Sequence, residues 1–306
     1  MSTESHDDVP LAELVTVRDW LRYAVTRFSR AGIFCGHGVD DIFDEAVWLI
    51  LATLALPLDR LEPFLDACIP GDERMDLFEN IERRAHDRIP TAYLVQEAWL
   101  GNYRFTINEH VIVPRSYFAE LLDDDALDLW IEDPETVTSA LDLCTGSGCL
   151  SILMADAFPN ADIVAADISP DALAVARRNV TDYELNEQIE LVQSDLFASL
   201  DGRLFDLILC NPPYVTAESM KQLPPEYLHE PALALAAGED GLDIVRRLIS
   251  EAARYLHPGG ILAVEVGHNQ QLVENAFPEL PFTWLTTRSG VDGVFVLKRE
   301  DLPGAA

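Results

Sequence analysis

Lysine is nearly absent from this chain of 306 residues, where it occurs only as Lys221 and Lys298. The sequence has 53 acidic residues against 21 basic ones, for a formal net charge of −32. So few positive charges argue against sequence-specific nucleic-acid binding, because protein–duplex affinity depends on basic contacts to phosphates. The acidic surface fits adaptation to a salty cytoplasm, where ions screen surface charges, or attraction to a basic protein partner.

Cysteine is also sparse, and long apolar runs are missing. The five cysteines include no Cys-x-x-Cys pair, and the seven histidines show no zinc-ligand spacing. This pattern favours free thiols in a reducing compartment and no metal. No apolar run reaches the length of a membrane span, and the polar, acidic start of the chain does not resemble a signal peptide. We therefore expect a cytoplasmic globular protein without a membrane partner.

The tetrapeptide Asn211-Pro212-Pro213-Tyr214 directly follows an apolar, strand-like run over 205–210. A planar NH2 group is a poor nucleophile, and acceptors that hold both of its N–H bonds can aim its lone pair at an incoming methyl group. Asn211 and the Pro212 carbonyl can be these acceptors, the prolines stiffen the loop, and Tyr214 can lie against the planar group. The alternative is a stiff turn whose Asn satisfies backbone groups. The strand context favours methyl transfer to an amide or amino nitrogen.

A glycine turn follows another strand-like segment, over 140–144. Gly146 and Gly148 allow positive φ and a close approach of the backbone to a ligand, at the start of a predicted helix. The third glycine of a dinucleotide fingerprint is missing. Asp167 ends the next strand-like segment and can accept hydrogen bonds from both hydroxyls of a ribose, which predicts a ribose-bearing cofactor. Asp142 either supports the turn or reaches the amino-acid end of that cofactor.

Apolar periodicity divides the chain into a helical part and a part in which strands and helices alternate. Helix-spaced apolar positions over 11–31, 43–56 and 72–87 predict a small helical domain. A hairpin over 99–113 and a helix over 117–131 follow. We predict a disordered tail at 1–9, a helical substrate-recognition domain at 10–92, a hairpin and linker helix at 93–135, and a methyltransferase catalytic domain at 136–301.

The alternating part predicts a mostly parallel, doubly wound α/β sheet that binds ligands at the carboxyl ends of its strands. Its last two strands are expected to form an antiparallel pair. The predicted strands are 140–144, 163–167, 189–193, 205–210 and 261–266, with 282–287 and 294–298 as the closing pair.

Four motifs together resemble the protein-glutamine methyltransferases that use S-adenosylmethionine. They are Asp-x-x-Thr-Gly-Ser-Gly at 142–148, Ala-Asp-Ile-Ser-Pro at 166–170, Ser-Asp-Leu-Phe at 194–197 and Asn-Pro-Pro-Tyr at 211–214. The resemblance implies the Rossmann-like class I methyltransferase fold with a small N-terminal helical domain.

One branch of this family modifies peptide-chain release factors, and another methylates a glutamine of the large-subunit ribosomal protein L-three. The chain is more similar to the ribosomal branch, through Cys-Gly-His-Gly-Val-Asp at 35–40, Val-Pro-Arg-Ser at 113–116, His-Glu-Pro at 229–231 and Asp-Gly-Val-Phe at 292–295. The resemblance therefore implies that protein as partner and substrate.

The resemblance also assigns roles to residues of the predicted site. The turn would wrap the methionine part of the cofactor, Asp167 would hold its ribose, and Asp195 and Leu196 would flank its adenine. Some relatives carry an aromatic residue where Leu196 stands. The catalytic residues would be Asn211, Pro212, Pro213 and Tyr214, and the cofactor would contact Asp142, Cys144, Thr145, Gly146, Ser147, Gly148, Asp167, Asp195, Leu196 and Asn211.

Other readings of the sequence stay open. A release factor could be the substrate, since Asn-Pro-Pro-Tyr would serve either protein. A DNA amino-methyltransferase could use the same motif, but it would have to flip its base and hold the phosphate backbone. A third reading is a non-catalytic ribosome-assembly factor. Arg115 could grip a substrate or cofactor group or form a salt bridge, and His229-Glu230-Pro231 could face the substrate or pack its own loop. The sequence leaves the oligomeric state and the modified glutamine open.

Overall fold

The computed structural model describes residues 12–288 and 290–305 of the chain. The predicted tail at 1–9 lies outside these residues. Two compact units are present: a helical unit, made of the described residues up to Gln96 together with Pro224–His229, and a sheet unit, made of Glu97–Leu223 and the described residues from Glu230 onward. In the described ranges no helix is long and apolar enough to cross a membrane. All five cysteines are free thiols.

The helical unit contains the helices predicted near the start of the chain. Helix α1 begins after Thr16, whose side chain and that of Asp19 cap each other's backbone N–H, and it ends at Gly32, where φ is 58°. Trp20 and Phe28 of α1 are fully buried in the core of this unit. The helices are α1 (Val17–Ala31), α2 (Ile42–Thr53), α3 (Gly71–Glu82) and α4 (Thr91–Val95), with a π-helical turn at Arg83–Asp87 and a 3₁₀ turn at Glu62–Phe64.

A buried charge cluster explains why Pro224–His229 belongs to the helical unit. The Arg84 guanidinium lies 2.6 Å from a carboxylate oxygen of Glu45 and 3.3 Å from one of Glu226, and all three side chains are buried. Glu226 also accepts the backbone N–H of Phe34, at 2.9 Å. Loss of one partner would leave a buried charge uncompensated, so these contacts hold the 3₁₀ turn Pro225–His229 firmly in this unit.

The sheet unit is built around one mixed sheet of seven strands. A two-stranded hairpin, β1 (Glu97–Leu100) and β2 (Tyr103–Thr106), precedes it. Five strands run parallel, and the last two are antiparallel, which confirms the predicted closing pair. The strands are β3 (Ser139–Leu143), β4 (Asp162–Asp167), β5 (Ile189–Gln193), β6 (Phe205–Cys210), β7 (Leu256–Glu265), β8 (Thr283–Thr286) and β9 (Asp292–Lys298).

Strand order places the candidate site. The strand order is β5-β4-β3-β6-β7-β9-β8. From β3 the chain first adds strands on one side of the sheet and then, from β6, on the other. A doubly wound sheet binds ligands at such a switch point, outside the carboxyl ends of its strands. The apolar middle of β6, Leu207–Leu209, is fully buried. The helices of this unit are α5 (Phe118–Asp123), α6 (Cys149–Ala157), α7 (Pro170–Asp182), α8 (Ala217–Met220), α9 (Asp243–Glu251) and α10 (Gln270–Ala276), with 3₁₀ turns at Pro134–Thr136, Ala232–Ala234, Ala252–Arg254 and Arg299–Asp301.

Two predicted elements are longer than the observed ones. The helix predicted over 117–131 is wrong beyond Asp123: three consecutive Asp residues meet the negative end of the helix dipole, and Asp125 adopts a left-handed φ of 52°. The hairpin predicted over 99–113 ends at Thr106. There the Asn108 side chain and carbonyl accept the N–H groups of His110 and Val111, which turns the chain away from the strand.

Candidate active site

The glycine turn after β3 has the left-handed backbone that its sequence predicts. Cys144, Gly146 and Gly148 have φ values of 61°, 56° and 79°. A Cβ on Gly148 would lie 3.2 Å from the Cβ of Ala176, whereas the nearest atom to a Cβ on Gly146 would be a backbone oxygen 4.0 Å away. Gly148 therefore lets α6 approach α7 closely, while Gly146 presents bare backbone to the open side of the turn.

Asp142 lies beneath this turn and is fully buried. Its Oδ2 accepts the hydroxyls of Thr145, at 2.5 Å, and Ser151, at 2.6 Å. Burial raises the pKa of Asp142 to about 6. Of the two roles that the sequence leaves open for this carboxyl, these contacts favour support of the turn.

Asp167 ties the glycine turn to the end of β4. Its two carboxylate oxygens accept the backbone N–H groups of Gly146 and Ser169, each at 2.9 Å. Each oxygen retains lone-pair capacity for a further donor, because a carboxylate can accept about four hydrogen bonds. Burial raises the pKa of Asp167 above its ordinary value of 3.8. The carboxylate thus lies between the turn and the cavity, ready for hydroxyl donors.

Residues that follow β5, together with Arg247 of α9, form another wall of the cavity. Leu196 is buried with a left-handed φ of 51°, and its carbonyl accepts the Ser194 hydroxyl at 2.6 Å. Asp195 is exposed and forms an ion pair with Arg247 at 2.8 Å. Leu196 offers an apolar surface, and Asp195 and Arg247 offer a polar rim, to a flat ring.

A cavity of about 320 Å³ opens over the carboxyl ends of β3, β4, β5 and β6. This volume is in the range of small-molecule sites. It brings together Cys144, Gly146, Asp167, Asp195, Leu196, Asn211 and Pro213 of the predicted site, whereas Asp142, Thr145, Ser147, Gly148, Pro212 and Tyr214 are not among its lining residues. Sequence reasoning assigned no role to several other lining residues: His110, Val111, Ile112, Ala172, Leu233, Ala234, Ile244 and Arg247. Pro231, which also lines the cavity, belongs to the His-Glu-Pro stretch for which a substrate-facing role was left open.

Tyr214 contacts two residues at and just beyond the end of β7, Glu265 and Gly267. Its hydroxyl bonds Glu265, and its ring lies against Gly267, where a Cβ would come within 2.8 Å of a ring carbon. Glu265 is buried and also accepts the Ser116 hydroxyl at 2.6 Å and the Tyr117 N–H at 3.0 Å. These contacts give Tyr214 a fixed place beside the cavity, and Glu265 joins the site as a residue that the sequence did not single out.

Glu265 should make the stability of the protein depend on pH. Burial raises its pKa from the ordinary 4.5 to about 7, so between these values the folded chain binds more protons than the unfolded chain. We expect the free energy of unfolding to fall as the pH rises across this window, by on the order of 2–3 kcal/mol from this carboxyl. Urea unfolding of wild type and Glu265→Gln at about pH 5 and pH 7.5 measures the difference.

The matched control for this prediction is Glu190→Gln. Glu190 is an exposed carboxylate of the same unit, and its ion pair with Arg203 lowers its pKa. Removal of the Glu190 carboxylate should leave the pH dependence of the free energy of unfolding unchanged above about pH 5. An equal pH dependence in wild type and Glu265→Gln would contradict the role given to Glu265.

The fold and the cavity define the class of the protein. A seven-stranded sheet of this order, with a glycine turn, an acidic strand end and an Asn-Pro-Pro-Tyr loop at one edge, is that of a class I methyltransferase. Residues 117–238 match the family model described as the methyltransferase small domain. The hMettl16 catalytic domain, solved in complex with MAT2A 3'UTR hairpin 6, superposes with a TM-score of 0.50 at 15% identity. The match covers 74% of this chain and 80% of that one and bears on the fold alone.

Curated relatives show the particular family. The ribosomal protein uL3 glutamine methyltransferase of Neisseria gonorrhoeae is 56% identical over 292 residues, which cover 95% of this chain and 97% of the relative. The proteins of the same name from Burkholderia pseudomallei and Francisella tularensis are 53% and 40% identical, over 95% and 98% of this chain and 97% and 95% of the relatives. The chain belongs to the family of ribosomal protein uL3 glutamine methyltransferases, which confirms the predicted branch.

Proposed function

We propose that the protein transfers a methyl group from S-adenosylmethionine to the side-chain amide nitrogen of a glutamine in ribosomal protein uL3, which is protein L-three. The observation that carries this proposal is that Asn211 lines the same cavity as Gly146 and Asp167. Near-full-length identity to relatives named for this activity supports the substrate. An enzyme with this substrate would act in the cytoplasm, where ribosomal proteins are made.

The residues that line the cavity fit this cofactor. Asp167 supplies an acceptor for ribose hydroxyls, the bare backbone at Gly146 leaves room for the amino-acid end, and Ile168, Leu196 and Ile244 offer apolar surface to the adenine. When bound, S-adenosylmethionine supplies an electrophilic methyl group. Cys144 and Asp195 complete the proposed set of cofactor-binding residues. The shape of the glycine turn depends on four further residues, which are Asp142, Thr145, Ser147 and Gly148.

The catalytic work of the protein is orientation. Asn211 Oδ1 and the Pro212 carbonyl accept the two N–H groups of the target amide, so that the nitrogen lone pair faces the methyl donor. Pro213 and Tyr214 shape the slot around the planar amide. No strong general base is needed, because a methylated amide cation loses its extra proton readily.

The helical unit is proposed to select the protein substrate. Its segment Pro224–His229 follows the Asn-Pro-Pro-Tyr loop in the chain and is held in that unit by the buried Glu226. The formal charge of −32 also suits a basic partner. A protein recognised in this way should be a much better substrate than a short peptide.

Transfer of labelled methyl from S-adenosylmethionine tests the proposal. The full-length enzyme is offered uL3, short peptides that together contain every glutamine of uL3, a release factor and DNA, at low and high salt. We expect label on one glutamine of intact uL3, located by fragmentation mass spectrometry, and little on the peptides. Label on the release factor alone would overturn the substrate, and label on DNA alone would overturn the substrate while keeping the role of the Asn-Pro-Pro-Tyr motif. Equal labelling of peptides would contradict substrate selection by the helical unit.

A further inference from the structure

The side chain of Asn211 can serve the reaction in only one of its two orientations. The amide carries an oxygen and an NH2 group of nearly equal size, and a flip about the last bond exchanges them. Only the oxygen can accept an N–H bond from the target amide. Some part of the protein must therefore keep the oxygen on the cavity side.

The backbone carbonyl of Arg115 makes this choice. Asn211 Nδ2 donates a hydrogen bond to that carbonyl oxygen, at 3.2 Å. A carbonyl accepts but does not donate, so the flipped amide would place two acceptors against each other. The contact leaves Oδ1 for the cavity, which Asn211 lines.

Glu230 holds Arg115 in place. One of its carboxylate oxygens accepts the Val113 N–H at 3.0 Å, and its two oxygens receive the Arg115 guanidinium at 2.6 and 2.5 Å. The Glu230 side chain is fully buried. A two-pronged, buried pair of this kind restrains geometry as well as charge, because both partners must keep one relative orientation.

Glu265 holds the chain on the other side of the same carbonyl. It accepts the Ser116 hydroxyl and the Tyr117 N–H. Two buried carboxylates thus hold the chain on either side of the Arg115 carbonyl. Glu230 binds Val113 and the Arg115 side chain, and Glu265 binds the two residues that follow. Contacts on both sides of this carbonyl therefore restrain the segment that carries it.

We propose that Glu230 is a positioning residue for methyl transfer: by binding Arg115 and Val113 it fixes the carbonyl that orients the Asn211 amide. The inference rests on the proposed function, in which Asn211 Oδ1 holds the target amide. It concerns a residue that touches neither cofactor nor substrate and acts through Asn211.

Glu230→Gln is the first test. Glutamine keeps the size of the side chain, but its NH2 group faces the guanidinium and breaks the two-pronged pair. We expect kcat to fall about 10- to 100-fold, the cost of a small misplacement in an oriented site. The dissociation constant of S-adenosylhomocysteine should stay within about twofold of wild type, since Glu230 does not line the cavity. Glu190→Gln, which breaks the exposed two-pronged pair with Arg203, should leave both values unchanged.

A double-mutant cycle separates positioning from general support of the fold. If Glu230 acts through Asn211, then Asn211→Ala combined with Glu230→Gln should be no slower than Asn211→Ala alone. Additive losses would overturn the proposal, because they would mean that Glu230 contributes independently of Asn211.

The side-chain amide signals of Asn211 provide a readout that does not need turnover. They are identified in the ¹⁵N spectrum of the full-length protein by their absence from Asn211→Ala. Glu230→Gln should shift or broaden them, and Glu190→Gln should not. Unchanged signals would overturn the proposal even if activity fell. Failure of wild type to methylate any glutamine would instead overturn the proposed function, while the spectra would still decide whether Glu230 orients Asn211.

Discussion

Asn211→Ala should reduce kcat for glutamine methylation by on the order of 100- to 1,000-fold, which is the usual cost of one preorganised hydrogen-bonding group at the reacting centre. The reason is that the variant no longer holds the target amide with its lone pair toward the methyl donor. Cofactor affinity should change much less, since orientation of the nucleophile matters mainly in the transition state. Single-turnover methyl transfer and calorimetric titration with S-adenosylhomocysteine measure the two effects separately.

Two further variants make this prediction sharper. Asn160→Ala removes another asparagine of the sheet unit whose Nδ2 donates to a backbone carbonyl, at 3.0 Å, but which is exposed and outside the cavity. It should keep wild-type activity. Asn211→Asp keeps an acceptor for the target amide but sets a second oxygen against the Arg115 carbonyl, so its loss should lie between those of wild type and Asn211→Ala. Near-wild-type turnover by Asn211→Ala would remove Asn211 from the chemistry and contradict the proposed mechanism.

Sequence reasoning worked best where a single short segment contains both the strand and the residue at its end. The strand predicted at 205–210 is β6, and Asn211 follows it directly; the strand predicted at 163–167 lies within β4, which ends at Asp167. In such segments, apolar patterning sets the strand and the next polar residue must lie at the sheet edge. This is why the residues that line the cavity from the sheet side could be named from sequence.

Contacts between distant segments could not be predicted in the same way. Glu230 meets Arg115 across 115 positions of the chain, and Glu265 meets Ser116 across 149. The His-Glu-Pro motif singles out Glu230, and a salt bridge is one interpretation of Arg115, but nothing local pairs these two residues. Nothing local distinguishes Glu265 from the many acidic residues that stand on the surface. Only the fold shows that Glu230 and Glu265 are buried. A buried carboxylate needs hydrogen-bond or ion-pair partners, and these partners fix its position.

The helix predicted over 117–131 extends past the observed end of α5 for a reason that also involves a distant residue. Its apolar spacing continues past Asp123, so periodicity alone favours a longer helix. The three acidic residues at 123–125 oppose the helix dipole there, and Arg288 instead binds Asp123 and Asp124 from a distant part of the chain. Acidic residues at the carboxyl end of a helix can end it despite continued apolar spacing, here with Arg288 as their ion-pair partner.

Asp167→Ala should weaken binding of S-adenosylhomocysteine by about 100-fold or more. The variant removes an acceptor for both ribose hydroxyls, and hydrogen bonds to a charged group contribute about 1.5–3 kcal/mol each. It also frees the Gly146 N–H that Asp167 holds at 2.9 Å, so the glycine turn loses a restraint. Calorimetric titration measures the affinity, and urea unfolding shows whether the fold has weakened as well.

Two variants separate these effects. Asp167→Asn keeps one acceptor oxygen and the shape of the side chain, so its affinity should lie between wild type and Asp167→Ala. Asp162→Ala removes an exposed carboxylate at the other end of β4 and should bind as wild type does. If all four proteins bind with equal affinity, the ribose is not held at the carboxyl end of β4. The cofactor would then have to occupy another part of the cavity, and the assignment of Leu196 and Asp195 to its adenine would no longer hold, because it depends on the ribose lying at Asp167.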